Sequence, residues 1–225
     1  MSNHIGRLNE TTLHRDLKWF YSESNEQLEK KVGNFVIDIV RDDLLIEIQT
    51  KNFAAIKNKL DNLIQNNKVK LVHPIIQDKW IVNLDTQLNK AIRRRLSPSH
   101  GSYIDIFNEL ITIPTMISHP NFTIELVLVQ IEEIREQNGM RSWRRKGWSI
   151  YDRKLVRMLD RKQFKSPKDF LCFIPNNLET PFTNNELAQS LEKPVRLIQK
   201  MSYCLRKMEM FKLVGKKRNS YLFDF

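Results

Sequence analysis

The 225-residue sequence has few features of membrane, secreted or zinc-binding proteins. No apolar run approaches membrane-spanning length, and the polar N-terminal residues MSNHIGRLNE lack the apolar core of a signal peptide. Its two cysteines, Cys172 and Cys204, are far apart and lack metal-ligand spacing, so we predict reduced, packed thiols. Together these absences predict a cytoplasmic protein with no membrane partner.

Positive charge, by contrast, is in excess. The chain has 37 lysines and arginines against 26 aspartates and glutamates, which gives a formal net charge of +11. Such an excess favours a polyanionic partner. Nucleic acid fits better than a membrane, because the sequence has no separate basic amphipathic helix rich in tryptophan or phenylalanine. With 41% hydrophobic residues, a chain of this length can bury the core of one or two domains.

The most informative stretch is residues 35–53, FVIDIVRDDLLIEIQTKNF. Two runs of β-branched and other apolar residues flank the polar triplet RDD, which predicts a β-hairpin. On the second strand Glu47, Gln49 and Lys51 point to one face, because side chains alternate along a strand. Asp38 lies roughly opposite on the first strand. Two carboxylates, an amide and an ammonium therefore converge on an oxygen-rich corner that suits Mg2+.

A simpler interpretation of the hairpin stays open, because charged residues on a strand commonly form its solvated face. Asp38 argues against that alternative. It stands between Ile37 and Ile39 in a strand that otherwise has a buried pattern, and an isolated buried carboxylate costs several kcal/mol. The sequence thus favours an Asp38 that is paired or bound to a metal.

An aspartate on one strand of a hairpin and Glu-x-Gln on the next, between helices, resembles the PD-(D/E)XK nuclease superfamily of restriction-endonuclease-like fold. The resemblance implies that Asp38, Glu47 and the carbonyl of Ile48 bind Mg2+, with Mn2+ as a substitute. Gln49 stands where the family most often has lysine, and a glutamine supplies no positive charge. Lys51, on the same face, is the alternative source of that charge, and all four side chains are candidate catalytic groups.

The surrounding elements follow the order of that superfamily's core: helix, three strands, helix, strand. Periodicity predicts helices over residues 11–21 and 53–64 and strands over 68–76 and 79–84. The first strand contains Glu29, which is either an additional metal ligand or an exposed glutamate on a lysine-rich edge strand.

Two further side chains have structural expectations. The helix after the hairpin has one apolar face toward the sheet, and Lys59 belongs to its opposite, polar face. His73, inside a buried strand, is predicted to be a satisfied core histidine.

The middle of the chain contains two basic segments. Residues 93–101, RRRLSPSHG, predict an exposed loop that contacts phosphates or serves as a solvated linker, followed by a helix at 102–111 and a strand at 122–133. Further on, RSWRRKGW interleaves cations with tryptophans, which is typical of nucleic-acid contact, although the tryptophans would also suit a domain junction. The DNA-contacting candidates here are Arg141, Trp143, Arg144, Arg145 and Lys146.

The C-terminal segment resembles a winged helix-turn-helix domain. Thr183 is a predicted N-cap, Pro194 starts a second helix that extends to about residue 208, and a hairpin with a basic tip follows. Such domains bind duplex DNA or other proteins, and the charge favours DNA. The predicted contacts are Arg196, Gln199, Lys200, Tyr203 and Lys207 on the helix, and Lys216, Lys217 and Arg218 at the tip.

These patterns predict an α/β nuclease-like core over residues 1–95, a basic middle region over 96–175 that packs on the core or links the domains, and a winged helix over 176–225. The predicted function is metal-dependent endonucleolytic hydrolysis of double-stranded DNA, by a monomer or a homodimer. Two alternatives stay open. One is a non-catalytic DNA-binding protein or regulator with a degenerate nuclease fold. The other is a nuclease subunit with protein partners in a defence, repair or transposition complex.

Overall fold

The computed structural model describes residues 11–22, 27–85, 90–137 and 147–225. Within them the chain is a mixed α/β protein with one large mixed sheet and one small antiparallel sheet, so the predicted fold class is confirmed at that level. Across the same residues no helix is long and apolar enough to cross a membrane.

The first six elements follow the predicted order of helix, three strands, helix and strand. The α-helices are α1 (Thr12–Tyr21), α2 (Phe53–Leu63), α3 (Phe107–Leu110), α4 (Asn184–Ser190) and α5 (Val195–Lys207). The strands are β1 (Gln27–Val32), β2 (Phe35–Arg41), β3 (Leu44–Ile48), β4 (Lys68–Asp85), β5 (Lys90–Leu96), β6 (Phe122–Gln137), β7 (Trp148–Phe164), β8 (Phe182–Thr183), β9 (Lys212–Lys217) and β10 (Ser220–Asp224). Short 3-10 helices cover Tyr103–Ile106, Met116–Ser118 and Pro167–Phe173.

The large sheet has the strand order β1-β2-β3-β4-β6-β7. Its central pairs, β3 with β4 and β4 with β6, are parallel, and the outer pairs are antiparallel. Strand β4 is long enough to hold two neighbours on one edge, because β3 pairs with its first residues and β5 with its last. The predicted middle region thus contributes β6 and β7 to the same sheet as the hairpin.

Hydrophobic clusters cover both faces of this sheet. On one face Leu13 and Leu17 of α1 pack with Ile46 of β3. On the other face Phe53 and Leu60 of α2 pack in the cluster that contains Leu45 of β3 and extends to α5. Adjacent residues of β3 therefore point to opposite faces, as the alternation of a strand requires. Each fully buried leucine or phenylalanine contributes about 1.5–3 kcal/mol, so both helices are held firmly on the sheet.

Three predicted segments differ from the structure. The strands expected at 68–76 and 79–84 form the single strand β4, with a register shift between Ile76 and Asp78. The arginines of residues 93–95 lie on β5 rather than in a loop, because pairing with β4 outweighs the local composition. The helix expected at 102–111 is a 3-10 turn followed by α3.

The C-terminal elements follow the predicted order closely. Thr183 caps α4, since its hydroxyl accepts the N–H of Glu186 and the Glu186 carboxylate accepts the backbone N–H of Thr183. Strands β9 and β10 form the expected hairpin and pair with β8. Of the two thiols, Cys204 is buried as predicted, but Cys172 is exposed, because its 3-10 helix packs only one side against the core.

Candidate functional site

Asp38 lies where the β2–β3 hairpin opens. The regular pairing of β2 with β3 ends at the pair Ile39–Ile46. Asp38 is the next residue beyond this pair on β2, and Glu47 is the next residue on β3. The Asp38 carboxylate then replaces a backbone acceptor, because its Oδ2 accepts the N–H of Ile48 at 2.8 Å. On the α1 side, Nε2 of His14 lies 3.2 Å from the same oxygen. A side chain that ends the pairing in this way holds its carboxylate at the open end of the hairpin.

Glu47 is a buried carboxylate that faces α2. Its Oε1 accepts a hydrogen bond from Lys59 Nζ at 2.6 Å, and the same ammonium donates to the carbonyl of Val36 at 2.6 Å. Its Oε2 is buried and has no hydrogen-bond partner among the described residues. The prediction that Lys59 lies on the solvent face of α2 is therefore wrong: its long side chain reaches back to the sheet, where Glu47 attracts it.

The two carboxylates differ in their affinity for protons. Burial, together with the negative charge of Asp38, raises the pKa of Glu47 to about 7, and the ammonium of Lys59 offsets only part of this rise. Burial would also raise the pKa of Asp38, but the hydrogen bond and charge of His14 and the N–H of Ile48 outweigh it and leave that pKa lowered. At neutral pH Asp38 is charged, whereas Glu47 is partly protonated.

This difference predicts a pH dependence of stability. The folded protein binds the Glu47 proton more tightly than the unfolded chain, so Glu47 lowers the free energy of unfolding as pH rises from about 4.5 to about 7, by about 3 kcal/mol in total. Urea unfolding of wild type and Glu47→Gln across this range measures the difference. We expect the variant to gain stability relative to wild type as pH rises. A constant difference would contradict the raised pKa.

Gln49 and Lys51 belong to the turn that leads from β3 into α2. The Gln49 side-chain Nε2 donates to the carbonyls of Lys51, at 2.5 Å, and Asn52, at 3.4 Å, so its amide shapes this turn. Its backbone carbonyl lies 2.6 Å from Nδ1 of the buried His73, which is a satisfied core histidine as predicted. Lys51 is exposed. Asp38 is thus near enough to Glu47 for its charge to raise the pKa of Glu47, whereas the Gln49 amide has a structural contact in the turn.

Glu29 contacts α1. Its Oε1 accepts from Lys18 Nζ at 2.9 Å, and about half of its side chain is exposed on the edge strand β1. The positive charge of Lys18 also helps to lower the pKa of Asp38. Glu29 therefore has an electrostatic link to the hairpin through Lys18.

The donor atoms at the hairpin suit a hard cation better than a zinc ion. In the described part of the chain no group of three or more histidine, cysteine, aspartate or glutamate side chains is placed to hold a metal. Mg2+ does not require one, because it commonly binds through one or two carboxylates together with water and substrate phosphates. Asp38 and Glu47 fit this pattern, since none of the residues that the structure describes donates to the buried Oε2 of Glu47. The backbone carbonyl oxygen of Ile48, next to Glu47 in the chain, is a further candidate metal ligand.

The predicted DNA contacts on α5 are mostly exposed. Arg196, Gln199, Tyr203 and Lys207 lie on the solvent side, and Lys207 Nζ is 6.0 Å from the centre of the Tyr203 ring. Lys200 is half-buried and donates to Asn108 Oδ1 at 2.8 Å. Five of the predicted contacts lie outside the described residues: Arg141, Trp143, Arg144, Arg145 and Lys146.

The β9–β10 hairpin presents its lysines at the surface. Lys216 Nζ is 5.0 Å from the centre of the Tyr221 ring, and Lys217 forms an ion pair with Glu186 at 2.8 Å. Arg218 has a positive φ of 56° at the tip of the hairpin. Two of the three predicted tip contacts thus have partners that fix their position.

Residues 11–165 match the family described as a domain of unknown function, DUF8091. The chain belongs to the DUF8091 family. Comparison with curated proteins finds an uncharacterized protein of Treponema pallidum (strain Nichols), 26% identical over 187 residues, which span 83% of this chain and 74% of that protein. No solved structure matches the chain.

The DUF8091 segment contains every element from α1 to β7. Asp38, Glu47 and Lys59 therefore all lie within the family domain, as does His14. Helix α5 and the β9–β10 hairpin lie outside it. The candidate site consequently lies in a different part of this DUF8091 protein from the predicted DNA contacts on α5 and the β9–β10 hairpin, whereas the predicted contacts at residues 141–146 fall within the matched segment.

Sequence reasoning missed two residues of the site, His14 and Lys59. Each lies at the border of an apolar helix face: His14 precedes Leu17 by three positions, and Lys59 follows Ile56 by three. Residues three apart on a helix are neighbours on its surface, so a border position points toward the rim of the sheet. This three-residue separation from an apolar side chain was the sequence feature that could have identified His14 and Lys59.

Proposed function

We propose that this DUF8091 protein is a metal-dependent endonuclease that hydrolyses DNA phosphodiester bonds. The observation that carries the proposal is the buried Oε2 of Glu47, which has no hydrogen-bond partner in the described part of the chain and lies beside the charged carboxylate of Asp38. A buried carboxylate oxygen without a donor is costly unless a cation satisfies it. The two carboxylates lie at the open end of a hairpin, which supports the likeness to the PD-(D/E)XK core.

In this proposal Asp38 and Glu47 hold Mg2+, or Mn2+ in its place. The bound ion supplies charge neutralisation at the phosphate and lowers the pKa of water. Lys59 takes the part that the family motif gives to its lysine, because its ammonium touches Glu47 directly while the Gln49 amide contacts the backbone. From there Lys59 orients the attacking water and balances developing negative charge. His14 positions Asp38 through the contact with Oδ2.

The C-terminal elements supply the contact with duplex DNA. Their order, with α4 and α5 followed by the β9–β10 hairpin, supports a winged-helix arrangement in which the exposed side chains of α5 face the DNA. The net charge of +11 favours association with a polyanion of this kind. An enzyme with one active site per chain cuts both strands most simply as a homodimer.

Incubation of the purified protein with supercoiled plasmid tests the proposal. We expect nicked and linear DNA in Mg2+ or Mn2+ and intact plasmid in EDTA. If wild type and the Asp38→Ala variant cleave the plasmid at the same rate, that result contradicts the proposal.

A second candidate, a DNA-binding regulator with an inactive nuclease fold, draws support from one observation. Lys59 already neutralises part of the charge of Glu47, and Gln49 replaces the motif lysine. In this case the protein binds duplex DNA, and Asp38 and Glu47 bind no divalent cation. A nuclease subunit that requires protein partners would instead bind the cation without cutting.

A further inference from the structure

A cleft of about 460 Å3 separates α3 and the preceding 3-10 helix from the start of α5. One wall is formed by the segment that includes Asp105 and Asn108, and the other by the residues that lead into α5. The polar and charged side chains that line it are His100, Asp105, Asn108, Lys193, Arg196 and Lys200. A volume of this size suits a ligand as large as a nucleotide.

Two of the three cations of this cleft, both lysines, are held by neutral oxygens. Lys193 Nζ donates to Ser102 Oγ at 3.1 Å, and Lys200 Nζ donates to Asn108 Oδ1 at 2.8 Å. In the parts of the chain that the structure describes, neither ammonium pairs with a carboxylate, and Arg196 is exposed. Hydroxyl and amide oxygens fix the position of an ammonium without cancelling its charge.

The other charged groups of the cleft are already satisfied. The Asp105 Oδ2 accepts the backbone N–H of Ser102 at 2.8 Å, which caps the 3-10 helix. Nδ1 of His100 lies 2.6 Å from Asp78 Oδ1, so that histidine already has a carboxylate partner. Asp105 keeps its negative charge, but Lys193, Arg196 and Lys200 outnumber it and leave the cleft with an excess of positive charge.

The start of α5 adds to this positive field. Pro194, which lines the cleft, is the N-cap of the 13-residue helix and makes no side-chain capping bond. The first N–H groups of an α-helix have no partner within the helix, and its dipole is positive at this end. Two fixed ammonium groups, the exposed guanidinium of Arg196 and the helix end therefore act on the same volume.

We propose that this cleft is a binding site for a phosphate group, which Lys193, Arg196 and Lys200 contact. The phosphate is carried either by a nucleic-acid strand or by a free nucleotide-sized ligand. Both sources present anionic phosphate oxygens to the cleft. The site lies between the DUF8091 segment and α5. It requires neither the metal at Asp38 and Glu47 nor cleavage, so the proposal stands or falls separately from the nuclease activity.

Calorimetric titration of the whole protein with sodium pyrophosphate, in EDTA and low salt, tests the site. We expect saturable binding by wild type that weakens about a hundredfold in Lys193→Gln/Arg196→Gln, because each of the two lost charged hydrogen bonds contributes about one power of ten. Lys168→Gln, which removes an exposed lysine outside the cleft, is the matched control and should bind as wild type does. Absence of binding by wild type, or equal binding by the double variant, overturns the proposal.

Arg196→Gln guards against misfolding of the double variant, because Arg196 is exposed and the fold does not depend on it. This variant should keep the wild-type circular dichroism spectrum and bind pyrophosphate about tenfold more weakly. Wild-type affinity in Arg196→Gln would remove this side chain from the site and overturn the assignment.

Competition between pyrophosphate and a labelled 12-base-pair duplex identifies the source of the phosphate. Displacement of the duplex in wild type but not in the double variant supports a nucleic-acid phosphate in the cleft. A duplex that stays bound while pyrophosphate binds supports a free phosphate ligand.

Discussion

Replacing Glu47 with glutamine is expected to reduce Mg2+-dependent DNA cleavage by about a thousandfold, with no loss of stability at pH 8. The carboxylate is buried, and its charged form is disfavoured there, as its pKa of about 7 indicates. The neutral amide of glutamine has nearly the same shape as the carboxylate and avoids that cost. Its side-chain oxygen can still accept the hydrogen bond that Lys59 donates. Activity and stability should therefore change independently, which a residue needed only for folding would not allow.

The measurement is the initial rate of plasmid nicking over a series of Mg2+ concentrations, with thermal unfolding of the same preparations. Glu179→Gln is the matched control, because Glu179 is an exposed glutamate outside the site. It should cleave at the wild-type rate. If Glu47→Gln and Glu179→Gln both cleave like wild type, Glu47 has no part in the reaction.

Replacing Lys59 with methionine is expected to lower the free energy of unfolding by about 3 kcal/mol at pH 8, because it leaves the Glu47 carboxylate buried without its cation. The loss should shrink toward pH 5, where Glu47 becomes protonated in the folded protein. Lys59→Met/Glu47→Gln should recover most of the stability, since the double variant has no buried charge at this position.

Urea unfolding at pH 5 and pH 8 measures these differences. Lys57→Met is the matched control: Lys57 lies on the same helix, two residues earlier, and is exposed, so its loss should cost less than about 0.5 kcal/mol. Equal losses for Lys57→Met and Lys59→Met, or a loss for Lys59→Met that does not depend on pH, would contradict the contact with Glu47.

Local patterns in the sequence were sufficient to predict the elements that position the site. Two short apolar runs around a polar turn predicted β2 and β3, and a helical apolar stripe predicted α2, whose Phe53 and Leu60 are buried as expected. Thr183 and the residues after it predicted the capped start of α4. Each of these features depends on residues close together in the chain, which is where periodicity and capping rules apply.

The features that the sequence did not predict depend on distant contacts. Lys59 has a polar side chain on an amphipathic helix, and only the packing of α2 on the sheet brings it to Glu47. The arginines at 93–95 lie on a strand because the end of β4 offers them an edge to pair with. The cleft beside α5 likewise depends on how α3 and α5 pack together.

Calorimetric titration with Mn2+ tests most directly the central claim that Asp38 and Glu47 bind a divalent cation. At pH 8, where Glu47 is mostly ionised, wild type should bind one ion per chain, and Asp38→Asn/Glu47→Gln should show no binding at that site. Binding of Mn2+ that is the same in the double variant, or none in wild type, would contradict the claim.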